Sequence, residues 1–329
     1  MARNNLQVIN KTRSDRYNEE KNVEQKEEKI KTKKKKIKKE NTENEEEKEF
    51  NPFLKKLIIF IIFIVGSFLT YSMLIEPNLL EVKEYKLETT KIEENFHGYK
   101  IVQISDINYG TSFTEKNLEK TIKKVNELKP DIVLFTGNLI NKNITIDEKT
   151  EKKIIKILNK LETPLYKFAI YGSSDYNDTF EKIMYETSFK ILDNESTLIY
   201  NKDETPIMIT GFNNNKKEQD YTILSNPINE IDITNLYKIV LTHNPNVTDE
   251  IKKYNPDLIL SGSTLGGYID LEFAKPLLLD ENVKYYEDYQ KINKTNIYVS
   301  SGLGTEKVNM RFNNLPSINF YRLYKKTTS

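Results

Sequence analysis

His97 and His243 are the only imidazoles in this chain of 329 residues, and it contains no cysteine. Histidine is the commonest nitrogen ligand for transition metals and the commonest general acid or base. Its scarcity therefore narrows the available chemistry, and the missing thiols exclude disulfides, thiolate metal sites and cysteine nucleophiles. What remains is a set of residues placed just after short apolar runs: Asp106 and Asn108, Asn138 after Gly137, Ser173, Ser174 and Asp175 after Gly172, His243 before Asn244-Pro245, and Ser263 and Leu265 between Gly262 and Gly266. Carboxylates and an imidazole so placed can hold a cation or move a proton. Ser174, His243 and Asp106 also have the residue types of a hydrolase triad, but no nucleophile–base hydrogen bond or oxyanion hole is legible. Taken singly, Asp106 reads as a strand-end residue capping its turn. Asp175 reads as a turn or helix cap, and His243 as a packed cleft histidine.

The elements that position these loops come next. Lys100–Ser105, Asp131–Phe135, Tyr166–Tyr171, Ile207–Thr210, Lys238–Leu241, Asp257–Leu260 and Ile297–Ser300 are short apolar runs that read as buried strands. Between the first two, Leu118, Ile122, Val125 and Leu128 recur at helical spacing over 114–129, and a second helical stretch covers 147–162. Strands alternating with helices predict an α/β layer architecture. In such sheets ligands gather at the carboxyl ends of the strands, so the polar loops should converge on one cleft. There is no internal repeat.

The first fifty residues differ from all of this. A lysine run spans Lys29–Lys39, an acidic run follows at Glu43–Glu49, and apolar periodicity is missing. Residues 1–52 are expected to be a disordered, charged tail or a transient solvated helix. Near a bilayer, Lys29–Lys39 could contact anionic lipid, at about 1 kcal/mol per lysine. Leu57–Ile75 carries no charge over 19 residues. As a helix it would run ~28 Å, close to a bilayer's hydrocarbon thickness. It is longer than a signal peptide's apolar region, no small-x-small pattern follows it, and Glu76-Pro77 should end it. The expected organisation is a tail (1–52), a single transmembrane helix (53–76) and a folded domain (77–329). Lys55 and Lys56 at the N-terminal flank put the N-terminus in the cytoplasm and the domain outside. The formal net charge of +1 gives no global basic field, so no nucleic-acid partner is expected.

Read together, the loops resemble those of the calcineurin-like phosphoesterases, in the membrane-associated bacterial branch. That family carries, in order, Asp-x-His, Gly-Asp, Gly-Asn-His-Asp, a lone His, and Gly-His-x-His, each after a strand. They hold two divalent metals that activate a water for attack on a phosphate ester. Here Ile104–Gly110 resembles the first loop, Pro130–Leu139 the second, Ile170–Tyr176 the third, Leu241–Pro245 the fourth and Leu260–Gly267 the fifth. Tyr298–Gly304, with Arg311 and Pro316 beyond, resembles the closing strands, so the likeness covers roughly 85–325. It implies a four-layer α/β/β/α sandwich.

The departures fall on the ligands. Asp106 and His243 keep the family's residue types. Asn108 stands at a His position and Asn138 at the bridging carboxylate. Ser173 replaces the Asn ligand, Ser174 the catalytic His, and Ser263 and Leu265 both His of the last loop. No catalytic residue and no cofactor are expected, beyond at most one weakly bound divalent cation on Asp106 with carbonyls or Asp175. The expected function is a membrane-anchored pseudo-phosphoesterase whose former cleft binds a protein, glycan or lipid. The alternatives are an active phosphoesterase with a reorganised site acting on a lipid or cell-envelope phosphate ester, and a sensor domain serving a working cytoplasmic tail.

Overall fold

The computed structural model describes residues 26–38, 51–202, 205–213, 219–228, 231–267, 269–270, 282–306 and 308–327. Most of the charged tail, 1–25 and 39–50, lies outside them. The chain divides into two units, Met1–Gly66 and Ser67–Ser329.

In the first unit, residues 26–38 form a helix (α1) whose side chains are all exposed, a solvated helix on the lysine run. A second helix, α2 (Pro52–Thr70), begins in the first unit and ends in the second; it buries none of its side chains although it is uncharged beyond Lys55 and Lys56. Its helical path continues through a π-type turn (Tyr71–Ile75) and a 3₁₀ turn (Glu76–Asn78). By length and composition, Pro52–Asn78 could cross a membrane.

In the second unit, two six-stranded mixed sheets are built from β1 (Glu81–Thr89), β2 (Lys100–Ile104), β3 (Ile132–Phe135), β4 (Tyr166–Ala169), β5 (Lys190–Ile191), β6 (Glu195–Ile199), β7 (Ile207–Phe212), β8 (Lys238–Thr242), β9 (Leu258–Ser261), β10 (Tyr289–Ile292), β11 (Thr295–Val299) and β12 (Ser317–Lys325). One sheet runs β1-β12-β2-β3-β4-β5 and the other β10-β11-β9-β8-β7-β6. β2 to β5 are parallel, as are β11, β9, β8 and β7. The period-2 alternation of each strand sorts its side chains between two cores. Ile101, Ile132, Leu134 and Phe168 of the first sheet meet Ile207, Ile209, Ile239, Leu241, Leu258 and Leu260 of the second. Val102, Ile104, Val133 and Phe135 face outward under α3 (Glu115–Leu128), α4 (Glu148–Leu158) and α5 (Asp178–Glu186). Met208, Val240, Ile259 and Ile297 lie under an outer layer that includes Leu224, Leu236 and Ile251 of the short helix α6 (Thr248–Ile251). This is the four-layer sandwich the loops implied.

Local sequence sets the helix ends. Thr114 and Asn117 form a reciprocal capping box at the start of α3, while Asp147 and Asn177 cap α4 and α5 through the backbone N–H of Thr150 and Phe180. Because the central strands are parallel, the loops after β2, β3, β4, β8, β9 and β11 emerge at one edge of the sandwich. Between the sheets, Gln103 donates to the Thr136 hydroxyl and the Ser261 carbonyl, both at 3.0 Å, and accepts from the Tyr321 hydroxyl at 2.8 Å. That fully buried network fixes the register of the strands feeding the site.

Candidate functional site

The polar loops do converge. After β2 the backbone crosses to the next loop: Asp106 N–H donates to the Gly137 carbonyl at 2.8 Å and Asn108 N–H to the Asn138 carbonyl at 2.9 Å. From β11, Gly304 N–H donates to the Asp106 carbonyl at 2.7 Å and Leu303 N–H to the Ser105 carbonyl at 3.0 Å. Asp106, Asn108, Asn138, Ser263 and Leu265 all hold left-handed backbone, with φ between 45° and 67°. For a non-glycine residue this conformation costs about 1–2 kcal/mol, least for Asn and Asp. A leucine in it is held there by its surroundings.

At the centre is the Asp106 carboxylate, 0 % exposed. Its Oδ2 accepts from the Ser105 hydroxyl at 2.6 Å and from Ser263 N–H at 3.1 Å, and its Oδ1 accepts from the Asn138 amide at 3.0 Å. His243 Nε2 stands 3.9 Å from Oδ1, and its Nδ1 donates to the Thr136 carbonyl at 2.7 Å. The Asn138 amide also serves its neighbours. Its oxygen accepts from Ser173 Oγ (3.2 Å), Ser174 N–H (3.1 Å) and Ser174 Oγ (3.0 Å). Where the family joins two metals through a shared carboxylate, this chain joins Asp106 to the third loop through one neutral amide. The Ser174 hydroxyl is directed to Asn138 and to the Ile140 carbonyl at 2.9 Å, so Ser174, His243 and Asp106 are brought together without a nucleophile–base bond.

Leu265 closes the other side. It is 1 % exposed, and a Cβ built on Gly302 (φ +67°) would fall 2.2 Å from Leu265 Cδ2 and 2.9 Å from Asp106 Cβ. Leu265 thus packs near Asp106 Cβ, and only a glycine at 302 leaves room for it. Gly262 is equally constrained, since a Cβ there would meet Ser105 Oγ at 2.1 Å and Asp106 Oδ2 at 2.3 Å. Asn108 is 1 % exposed and, among the described residues, both polar atoms of its side chain lack a hydrogen-bond partner. His97 lies away from this group, edge-on to Tyr324 at 5.3 Å between ring centres.

Asp175 does more than cap a turn or a helix. Fully buried, it accepts from Asn138 N–H (2.5 Å), Leu139 N–H (2.9 Å) and Gly172 N–H (2.9 Å), tying the second loop to the third. Burial pushes its carboxyl up to about 6, against those amides and nearby His243, which favour the charged form. An unfolded chain has the ordinary value of ~3.9, so the folded protein takes up a proton between the two. Stability from this group is therefore fullest below about pH 4 and falls as pH rises through about 6. Relative to Asp175→Asn, the wild type should gain ~1 kcal/mol on going from pH 7 to pH 5. Urea unfolding of both proteins at the two pH values checks this, and a gap that narrows on acidification contradicts it.

Comparison with known proteins agrees with this geometry. Residues 99–318 match the calcineurin-like phosphoesterase family model. The metallophosphoesterase YkuE of Bacillus subtilis is 31% identical over 262 residues, covering 77% of this chain and 88% of that one. The UDP-2,3-diacylglucosamine pyrophosphatase LpxG of Chlamydia muridarum is 26% identical over 245 residues, covering 61% and 74%. A transmembrane protein with a metallophosphoesterase domain from Danio rerio is 22% identical over 247 residues, covering 70% of this chain and 54% of that one. The chain is a member of the calcineurin-like phosphoesterase family.

Proposed function

We propose that this protein is a membrane-anchored pseudo-phosphoesterase: it keeps the family's scaffold, holds no dinuclear metal centre, and uses its strand-end face for binding. The observation that carries this reading is the state of the Asp106 carboxylate. It accepts three hydrogen bonds from its own chain, and Leu265, at a ligand position of the family, is packed close to Asp106 Cβ. Family members use divalent metals, and the residues present here do not fit a pair of them. Leu265 offers no donor atom. Asn138 turns its amide nitrogen to Asp106 and its oxygen to the two serines, and a neutral bridge is a poor link between two dications. Serine hydroxyls are weak ligands for transition metals. Among the described residues, no group of three or more carboxylate or imidazole side chains is arranged to hold a metal ion.

For anchoring, the support is the exposed, uncharged stretch of α2 beyond Lys56 and the transmembrane relative. Lys55 and Lys56 favour a cytoplasmic N-terminus with the sandwich outside.

A second reading is favoured by LpxG, a relative whose name is that of a pyrophosphatase. In it this chain hydrolyses a lipid or cell-envelope phosphate ester at a reorganised site. Assays of the detergent-purified chain with Mn²⁺ on bis(p-nitrophenyl) phosphate and on UDP-2,3-diacylglucosamine separate the two. The pseudoenzyme reading expects rates equal to those of buffer with metal alone, whereas saturable turnover of either substrate establishes the second reading.

A further inference from the structure

The uncharged stretch Leu57–Ile75 ends inside the second unit, where the loop that follows β11 holds its last part. Phe312 packs on Phe68 with 4.8 Å between ring centres and on Tyr71 at 6.3 Å. Arg311 N–H donates to the Ser72 carbonyl at 2.9 Å. Ser72 is buried on this side, whereas Leu69, Tyr71, Met73, Leu74 and Ile75 are exposed. Phe68 lies well before the end of the stretch, about 10 Å back from Ile75 along a helix. A loop that touches Phe68 therefore cannot stand clear of a layer that the stretch enters.

The surface of the loop suits an apolar layer. Val308 is 54 % exposed, and Met310, Phe312 and Leu315 are half-buried. Over 308–315 the one charged side chain is Arg311, which is fully buried and donates to four carbonyls. Just past the stretch the chemistry changes, since Lys120 Nζ donates to the Asn78 carbonyl at 2.8 Å. Apolar residues followed by an ammonium match the order of hydrocarbon and phosphate in one leaflet.

We infer that the 308–315 loop is a second membrane contact, which seats the sandwich on the bilayer surface through Val308, Met310 and Phe312. This seating rests on the anchoring reading of α2 and is independent of whether the Asp106 cluster is inactive. Lipid is favoured over a protein partner because the loop is continuous with helix residues that the bilayer itself would cover. Gly304 and Leu303, at the head of the loop, hold the carbonyls of Asp106 and Ser105. At most ~14 Å of chain separates Gly304 from Val308. Seating the loop thus keeps the strand-end cluster within reach of the headgroup layer.

The chain has no tryptophan, so a single introduced one reports alone. The full chain carrying Val308→Trp is reconstituted into phosphatidylcholine vesicles, with and without lipid brominated in its acyl chains near the headgroup. Its emission should be blue-shifted and quenched at least ~2-fold by the brominated lipid, as expected of a side chain at the headgroup–acyl boundary. Tyr185→Trp is the aqueous control and should be neither shifted nor quenched. Tyr185 is 85 % exposed near the end of α5, which leads back into parallel strand β5 at the edge far from the loops. Phe63→Trp, in the middle of the apolar stretch, reports the anchor. Melting temperatures equal to the wild type verify the fold, and Met310→Trp reports the same surface should Val308→Trp fold poorly. Quenching at 63 and 308 but not at 185 supports the seating. Quenching at 63, with 308 and 310 as wet as 185, overturns it and leaves the anchor standing. No quenching at 63 removes the anchor and the seating with it.

Discussion

Asp106→Ala should destabilise the protein by about 2–4 kcal/mol while leaving phosphoester hydrolysis at its background rate. The carboxylate is fully buried and is the shared acceptor for Ser105 Oγ, Asn138 Nδ2 and Ser263 N–H. Alanine would leave two buried donors, Ser105 Oγ and Asn138 Nδ2, and the half-buried Ser263 N–H unpaired, each buried one worth ~1–3 kcal/mol before relaxation. A small cavity beside Leu265 adds to the loss. Asp106→Asn keeps one carbonyl oxygen and should fall between wild type and alanine. In a working member of the family, the same change removes a metal ligand and abolishes turnover. Urea unfolding of the full chain in detergent, run beside a hydrolysis assay, separates these cases. Unchanged stability with abolished turnover would contradict the structural role.

Arg311→Met should cost about 3–5 kcal/mol. The guanidinium is 0 % exposed, yet it bridges four backbone carbonyls: Ser301 at 2.8 Å, Gly302 at 3.2 Å, Gly304 at 2.7 Å and Asn314 at 3.1 Å. No apolar side chain replaces those donors, and Arg311→Lys supplies a point charge without the planar fork. The effect reaches the site, because the Gly304 and Leu303 amides that Arg311 steadies hold the carbonyls of Asp106 and Ser105. Hydrogen exchange at those two amides should therefore accelerate in Arg311→Met. A variant as stable and as protected as the wild type would remove this role.

Much of this was legible in the sequence, for a physical reason. Buried parallel strands are continuous apolar runs, so β2, β3, β7, β8 and β9 announce themselves, and the period of Leu118, Ile122 and Val125 announces α3. β1 and β12 are harder to read. Glu81–Thr89 is mostly half-exposed and mixes charge with apolar residues, and its partner is more than two hundred residues away. No local pattern encodes such a pairing. The nine-residue α5 is too short for its period to stand out.

The site divides in the same way. The loops could be read from turn chemistry and their altered residues from the family resemblance, whereas the interactions among them depend on distances that no spacing reveals. Leucine beside Gly302, the amide of Asn138 linking Asp106 to Ser174, and three amides on Asp175 are of this kind. Glu76 is the clearest case. Next to Pro77 it reads as a helix terminator, and the fold instead buries it completely, with one carboxylate oxygen accepting from Asn314 N–H at 2.8 Å.

Metal content distinguishes an erased metal centre from a rebuilt one. The full chain, expressed with Mn²⁺, Zn²⁺ and Fe²⁺ supplied and purified in detergent without chelator, would be measured by elemental analysis against protein concentration. No transition metal above the level of a control protein is expected. Close to two metal ions per chain would mean that ligands beyond Asp106 and His243 rebuild the centre, and the reading of this protein as a pseudoenzyme would fail.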